Sequence, residues 1–175
     1  MTPEELRTLI HDVPDFPKPG IVFKDITPLL ENPLAFGEIT ERLAEGAAEL
    51  GAERILAIES RGFIFGAALA RRMALPMHLV RKRGKLPRKS VSVRYELEYG
   101  VDHLEVHADA VRPGGRCLIV DDLLATGGTA AAAAELVRRQ DGVVAGYAFV
   151  VELSFLDGRR ALGDAPIVAL IDCSA

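Results

Sequence analysis

What this chain lacks narrows its class before any motif is read. It has only two cysteines in 175 residues. Cys117 and Cys173 lie in apolar, strand-like runs, which points to buried free thiols of a reducing compartment rather than to a disulfide or metal framework. No apolar run is long enough to span a membrane. The N-terminus has the pattern of an acidic helix instead of a basic, apolar leader, so no signal peptide is expected and the protein is placed in the cytoplasm. Excess positive charge is missing too. A formal net charge of −4 argues against general nucleic-acid binding, and any anion site must arise from local clustering of base. Neither an internal repeat nor a low-complexity segment is evident. Hydrophobic residues make up 49% and charged residues 26%, which excludes disordered and collagen-like classes. One domain over residues 1–175, with a sizeable core, is expected.

The stretch richest in chemistry is residues 116–129. Four apolar residues, Cys117 to Val120, run into Asp121 and Asp122, then into Ala125-Thr126-Gly127-Gly128-Thr129, and an alanine-rich helical pattern begins at Ala130. This reads as strand, acidic turn, glycine loop and helix. Ligands of open α/β sheets bind at the carboxyl ends of strands. Adjacent residues of a strand face opposite ways, so both acids address one ligand only if the strand ends there. Gly127 and Gly128 let successive N–H groups converge on a phosphate, and the helix start favours an anion. No Lys follows the glycines as in a Walker loop, and no third glycine completes a dinucleotide fingerprint. A phosphate cradle beside two acids suited to sugar hydroxyls remains, against the blander reading of an ordinary β–turn–α connection.

The remaining chain alternates strand and helix. Thr2-Pro3-Glu4-Glu5 predicts a short helix through His11. Residues 12–28, punctuated by prolines, read as an ordered loop with an extended segment at Ile21-Val22-Phe23. Asn32-Pro33 starts a helix that stops at Gly51. A strand from Arg54 to Ile58 leads into Glu59-Ser60-Arg61-Gly62 and a helix through Met73. Met77 to Val80 is a further strand, and it runs into six basic residues within 81–89. Such a run is usually a solvated face, but its place at a strand end suits a polyanion. Val91, Val93 and Tyr95 alternate with polar residues, predicting a hairpin-like flexible arm over 82–103. Strands at 143–151 and 167–171 complete an α/β, doubly wound, mainly parallel sheet of about five strands flanked by helices, with residues 1–28 as an N-terminal hood.

Residues 116–129 resemble the phosphoribosyl-pyrophosphate (PRPP) motif of the type I phosphoribosyltransferases. Residues 14–28, 59–66, 81–87 and 95–100 are similar, in the same order, to the adenine phosphoribosyltransferases of that family. The resemblance implies transfer of the 5-phosphoribosyl group from PRPP to adenine, giving AMP and pyrophosphate, through an oxocarbenium-like displacement at ribose C1. It implies Mg²⁺ held mainly by PRPP and water, with no direct protein ligand, and a homodimer. Ala125, Thr126, Gly127, Gly128 and Thr129 would cradle the 5′-phosphate, and Asp121 and Asp122 would hold the ribose hydroxyls. Ser60, Arg61, Arg81, Lys82 and Lys85 would meet the pyrophosphate, with a cis peptide before Ser60. Val22 and Leu153 would sandwich adenine, whose edge the Val22-Phe23-Lys24 backbone would read. Glu98 would manage the purine proton and Tyr99 would help to close the site. Two positions depart from the family pattern: Lys24 stands where many relatives carry Arg, and Glu59 where some have Asp. A phosphoribosyltransferase for another purine and a PRPP-binding regulatory protein are the alternatives.

Overall fold

The computed structural model describes residues 1–97 and 100–174, so Glu98 and Tyr99 lie outside the described residues. The first helix, α1 (Pro3–Arg7), opens with Thr2 accepting the Glu5 N–H at 3.2 Å while the Glu5 carboxylate accepts the Thr2 N–H at 2.8 Å. It ends at Arg7, short of the expected His11, because β1 (His11–Pro14) pairs antiparallel with β2 (Val22–Asp25). Thr8 to Ile10 form a turn, Leu9 and Ile10 donating to the Leu6 and Arg7 carbonyls, and His11 already belongs to the strand. A further short helix, α2 (Thr27–Glu31), carries Pro28 in its first turn, where the missing N–H would have had no helical partner. Next, α3 (Pro33–Ala47) is capped by Asn32, whose side chain accepts the N–H groups of Leu34 and Ala35.

The rest runs β3 (Arg54–Ile58), α4 (Gly62–Met73), β4 (Met77–Lys82), β5 (Ser90–Leu97), β6 (Gly100–His107), β7 (Arg116–Leu124), α5 (Gly128–Arg138), β8 (Val143–Glu152) and β9 (Ile167–Asp172). Among the described residues the main sheet has the order β5-β6-β4-β3-β7-β8-β9. From β4 to β9 its five neighbouring strands are parallel, as expected. The hairpin β5–β6 then adds two antiparallel strands, rooted where Arg81 and Lys82 pair with Glu105 and Leu104. Of the arm read over 82–103, residues 90–97 and 100–103 are thus an extension of the sheet, and β6 continues to His107.

Alternate residues of each buried strand face two different cores. Ile55, Ala57, Leu118 and Val120 pack with α3 and α4 residues such as Ile39, Leu43, Phe65 and Leu69. Leu56, Ile58, Cys117 and Ile119 pack with α5 residues such as Ala133, Leu136 and Val137 and with the hairpin residues Val93 and Leu104. Both faces are covered, and that is why these strands are continuous apolar runs. Among the described residues no helix is long and apolar enough to cross a membrane.

Candidate active site

The parallel strands carry their last residues to one edge of the sheet, and β7 reaches further than its neighbour. Its last pairing with β3 is Ala57 opposite Val120, whereas on the β8 side pairing continues past the acids to Leu124 opposite Glu152. The expectation that the strand ends at Asp121 is therefore corrected: β7 runs through both acids to Leu124. They share a site because the β3 side of β7 is open there. The Asp121 carboxylate turns toward its neighbour and accepts the Asp122 N–H at 2.9 Å. α4 can close on this point only because its first residue is Gly62. A Cβ there would lie 2.8 Å from Asp121 Oδ1 and 2.9 Å from the Val120 carbonyl oxygen.

Burial, reinforced by the nearby Asp122 charge, pushes the Asp121 carboxyl well above its ordinary range, and Arg61 only partly opposes this. Arg61 Nε stands 2.9 Å from Asp122 Oδ2. That is ion-pair distance, but the alignment gives no hydrogen bond, and Asp122 Oδ2 is a buried acceptor without a donor. An acceptor of this kind suits a hydroxyl or a coordinated water.

The glycine loop follows directly. Gly127 has φ +82°, and α5 starts at Gly128. A Cβ on Gly127 would collide with the carbonyl oxygen of Gly158, and one on Gly158 would collide with that of Ala125. Two backbones thus touch, and the segment Gly158–Leu162 fixes the loop from behind. Tyr95 of β5 covers the other side: burial pushes its phenol up, against a hydrogen bond with the Thr129 side chain.

A cavity of about 430 Å³ joins these parts, lined by Ser60, Arg61, Lys82, Asp121, Asp122 and the loop from Ala125 to Thr129, together with Glu59, Tyr95 and Asp102. The Glu59–Ser60 peptide is cis. Among the described residues four carboxylates and two cations line this space. Of the basic run only Lys82 reaches it. Arg81 donates to Glu59 at 3.1 and 3.3 Å and to the Lys85 carbonyl at 3.2 Å, and Lys85 is exposed outside it. Burial alone would raise the Glu59 carboxyl, but the bonds from Arg81 and the Lys82 N–H prevail and hold it low. The longer acid at position 59 thus anchors the start of the basic run.

A second cavity of about 810 Å³ lies against the hood, lined by Val22, Phe23, Lys24 and Leu153 with Ile21, Phe155 and Leu156. Val22 is half-exposed and Leu153 nearly buried. Phe23 packs edge-on against Phe16, and the Arg61 guanidinium sits 4.9 Å from the Phe23 ring centre. Lys24 Nζ is held by Asp12 at 2.7 and 2.9 Å across the two-stranded sheet, which leaves its backbone, rather than its charge, turned to other uses. The two cavities share Arg61, Leu123 and Ala125.

Sequence reasoning missed Tyr95, Asp102 and Gly158 as parts of the site. The alternation of Val91, Val93 and Tyr95 marked one face of a strand. Only the pairing of β5 and β6 with the main sheet brings that face over the glycine loop.

The family model described as a phosphoribosyl transferase domain matches residues 27–161, a span that holds both acids of β7 and the glycine loop that begins α5, so the chain is a phosphoribosyltransferase. The chain is 54% identical over 161 residues to the adenine phosphoribosyltransferase of Rubrobacter xylanophilus, covering 92% of this chain and 87% of that protein. It is 50% identical over 171 residues to that of Chloroflexus aurantiacus, covering 98% and 99%. The crystal structure of the Thermoanaerobacter pseudethanolicus adenine phosphoribosyltransferase matches with TM-score 0.95 at 50% identity, covering 98% of this chain and 100% of that one. The Saccharomyces cerevisiae enzyme, solved with an imino-altritol bisphosphate and adenine, matches with TM-score 0.90 at 41% identity, covering 97% and 98%. The chain belongs to the adenine phosphoribosyltransferases of the type I phosphoribosyltransferase family.

Proposed function

We infer that the protein transfers the 5-phosphoribosyl group of PRPP to adenine, giving AMP and pyrophosphate in purine salvage. The observation that carries this is the junction of the two cavities at Arg61, Leu123 and Ala125. One side offers acids and a phosphate loop, and the other an apolar slot between Val22 and Leu153.

In this reading the N–H groups and hydroxyls from Ala125 to Thr129 bind the 5′-phosphate at the start of α5. Asp122, with its orphaned Oδ2, and Asp121 orient the ribose hydroxyls. Ser60, Arg61 and Lys82 meet the diphosphate, and Arg81 and Lys85 support it from outside the cavity. As the C1–oxygen bond breaks, its electron pair leaves with pyrophosphate, a purine nitrogen bonds to C1, and the purine gives up a proton. Cations beside the leaving group stabilise the charge it gains. Glu98 takes the proton in this scheme and Tyr99 helps to close the site. Mg²⁺ would arrive on PRPP and neutralise the diphosphate. The residues present fit such a complex better than bare diphosphate, because among the described residues of the cavity carboxylates outnumber cations and Asp122 Oδ2 can accept from a coordinated water.

A homodimer and a cytoplasmic setting complete the proposal. Exposed Leu34, Ile64 and Leu79 offer apolar surface to a second copy, and two buried free cysteines suit a reducing compartment. The test is AMP formation from adenine and PRPP by wild type beside Asp122→Asn and Glu98→Gln. Wild type should turn over, and the Glu98 variant should lose about 10²–10⁴-fold in kcat. Full activity in both variants would sink the residue roles, and a preference for hypoxanthine would sink the base assignment.

A further inference from the structure

We propose that Asp102 is a positioning residue of the diphosphate half-site, which competes with pyrophosphate for the Lys82 ammonium and so limits how tightly this product is held. The proposal rests on the transferase reading above. Lys82 closes β4, and its two ends meet different acids. Its backbone N–H donates to the Glu59 carboxylate at 3.0 Å, while its Nζ stands 3.2 Å from Asp102 Oδ2. Asp102 is itself placed without help from Lys82, since its carboxylate accepts the His103 N–H at 2.8 Å and its backbone lies in the β5–β6 ladder opposite Tyr95. The Asp102 side chain is 24% exposed and that of Lys82 60%, so the carboxylate is the fixed partner and the lysine the adaptable one.

Both residues line the same cavity as the glycine loop and the acid pair. A lysine on a four-carbon stem can turn its three donors from a carboxylate to a diphosphate without moving the strand that carries it. An acid in the wall of an anion site weakens anion binding, and a site built for affinity alone would omit it. A transferase that must release pyrophosphate gains from it, because an ammonium with an alternative partner leaves the product more readily.

The experiment measures the dissociation constant of magnesium pyrophosphate by calorimetry and KM for PRPP by AMP formation. The proteins are wild type, Asp102→Asn, Lys82→Met and the double variant. Asparagine keeps the shape and an acceptor for the His103 N–H while removing the charge. The expected result is pyrophosphate binding tightened roughly two- to fivefold in Asp102→Asn, the range an ion pair of this exposure supports, with KM for PRPP lowered similarly. In the Lys82→Met background the same substitution should change nothing. Unchanged or weaker binding in Asp102→Asn, or equal tightening without Lys82, would overturn the proposal. Asp102→Glu retains the charge and should bind pyrophosphate as wild type does; tightening there would also overturn it. Calorimetry needs no turnover, so this pairing can fail while AMP formation stands, and absence of AMP would count against the function alone.

Discussion

The glycine loop and the basic run both look like anion sites in the sequence, yet the fold treats them differently. The loop from Ala125 to Thr129 is held by backbone: it follows β7 directly, begins α5, and touches the Gly158 backbone with no room for a Cβ. The basic run is held by charge. Arg81 is tied to Glu59 and Lys82 to Asp102, and Lys85 stays outside the cavity. Backbone groups offer a phosphate donors that cannot turn away. Side-chain cations start with partners and must be exchanged.

Between these two regions, the largest effect should come from breaking the backbone half. Gly127→Val puts a branched side chain at φ +82° and against the Gly158 carbonyl, so the loop must shift, and kcat/KM should fall about 10²-fold, as small misplacements in active sites do. A loss confined to stability, with normal turnover of the folded fraction, would remove the distinction between the two regions. Next comes Asp122→Asn, which exchanges a charged acceptor for an amide; steady-state kinetics should show a loss of about tenfold or more in kcat/KM for PRPP.

In the charge-held half a graded series is expected. Lys82→Met should raise KM for PRPP about tenfold. Arg81→Met, which acts through Glu59, should cost roughly two- to fivefold, and Lys85→Met should stay within about twofold. Equal effects of all three would show the run acting as a diffuse field and not as individually held cations.

The smallest effect concerns proton linkage at Asp121. Desolvation and the adjacent Asp122 charge push its folded carboxyl well above the ordinary range. The folded state therefore keeps a proton that the unfolded chain has already released, so stability falls as pH rises from the ordinary carboxylate range through the raised value. Thermal melts across pH should show wild type losing stability over that window, and Asp121→Asn should lose less. Parallel curves for the two proteins would place the raised carboxyl elsewhere.

Much of this was legible from residue order. Apolar strands covered on both faces, the Asn32-Pro33 cap and the acid–glycine–helix sequence all depend on neighbours along the chain, and they led to the parallel sheet and to the acids and glycine loop that line one cavity. The errors arose where distant partners decide. Helix α1 did not reach His11 because that residue pairs with Asp25 of β2, and β7 ran on past its acids because β8 still bonds to it.

By itself, then, the sequence determined the α/β order, the acid pair and loop, and the family, because these reside in local pattern and short spacing. Tertiary structure alone decided which cations face the cavity, that Tyr95 and Asp102 join it, and that Gly158 backs the loop. Those facts depend on strand register and on contacts between residues far apart in the chain, and spacing along one strand does not encode which strand will lie beside it.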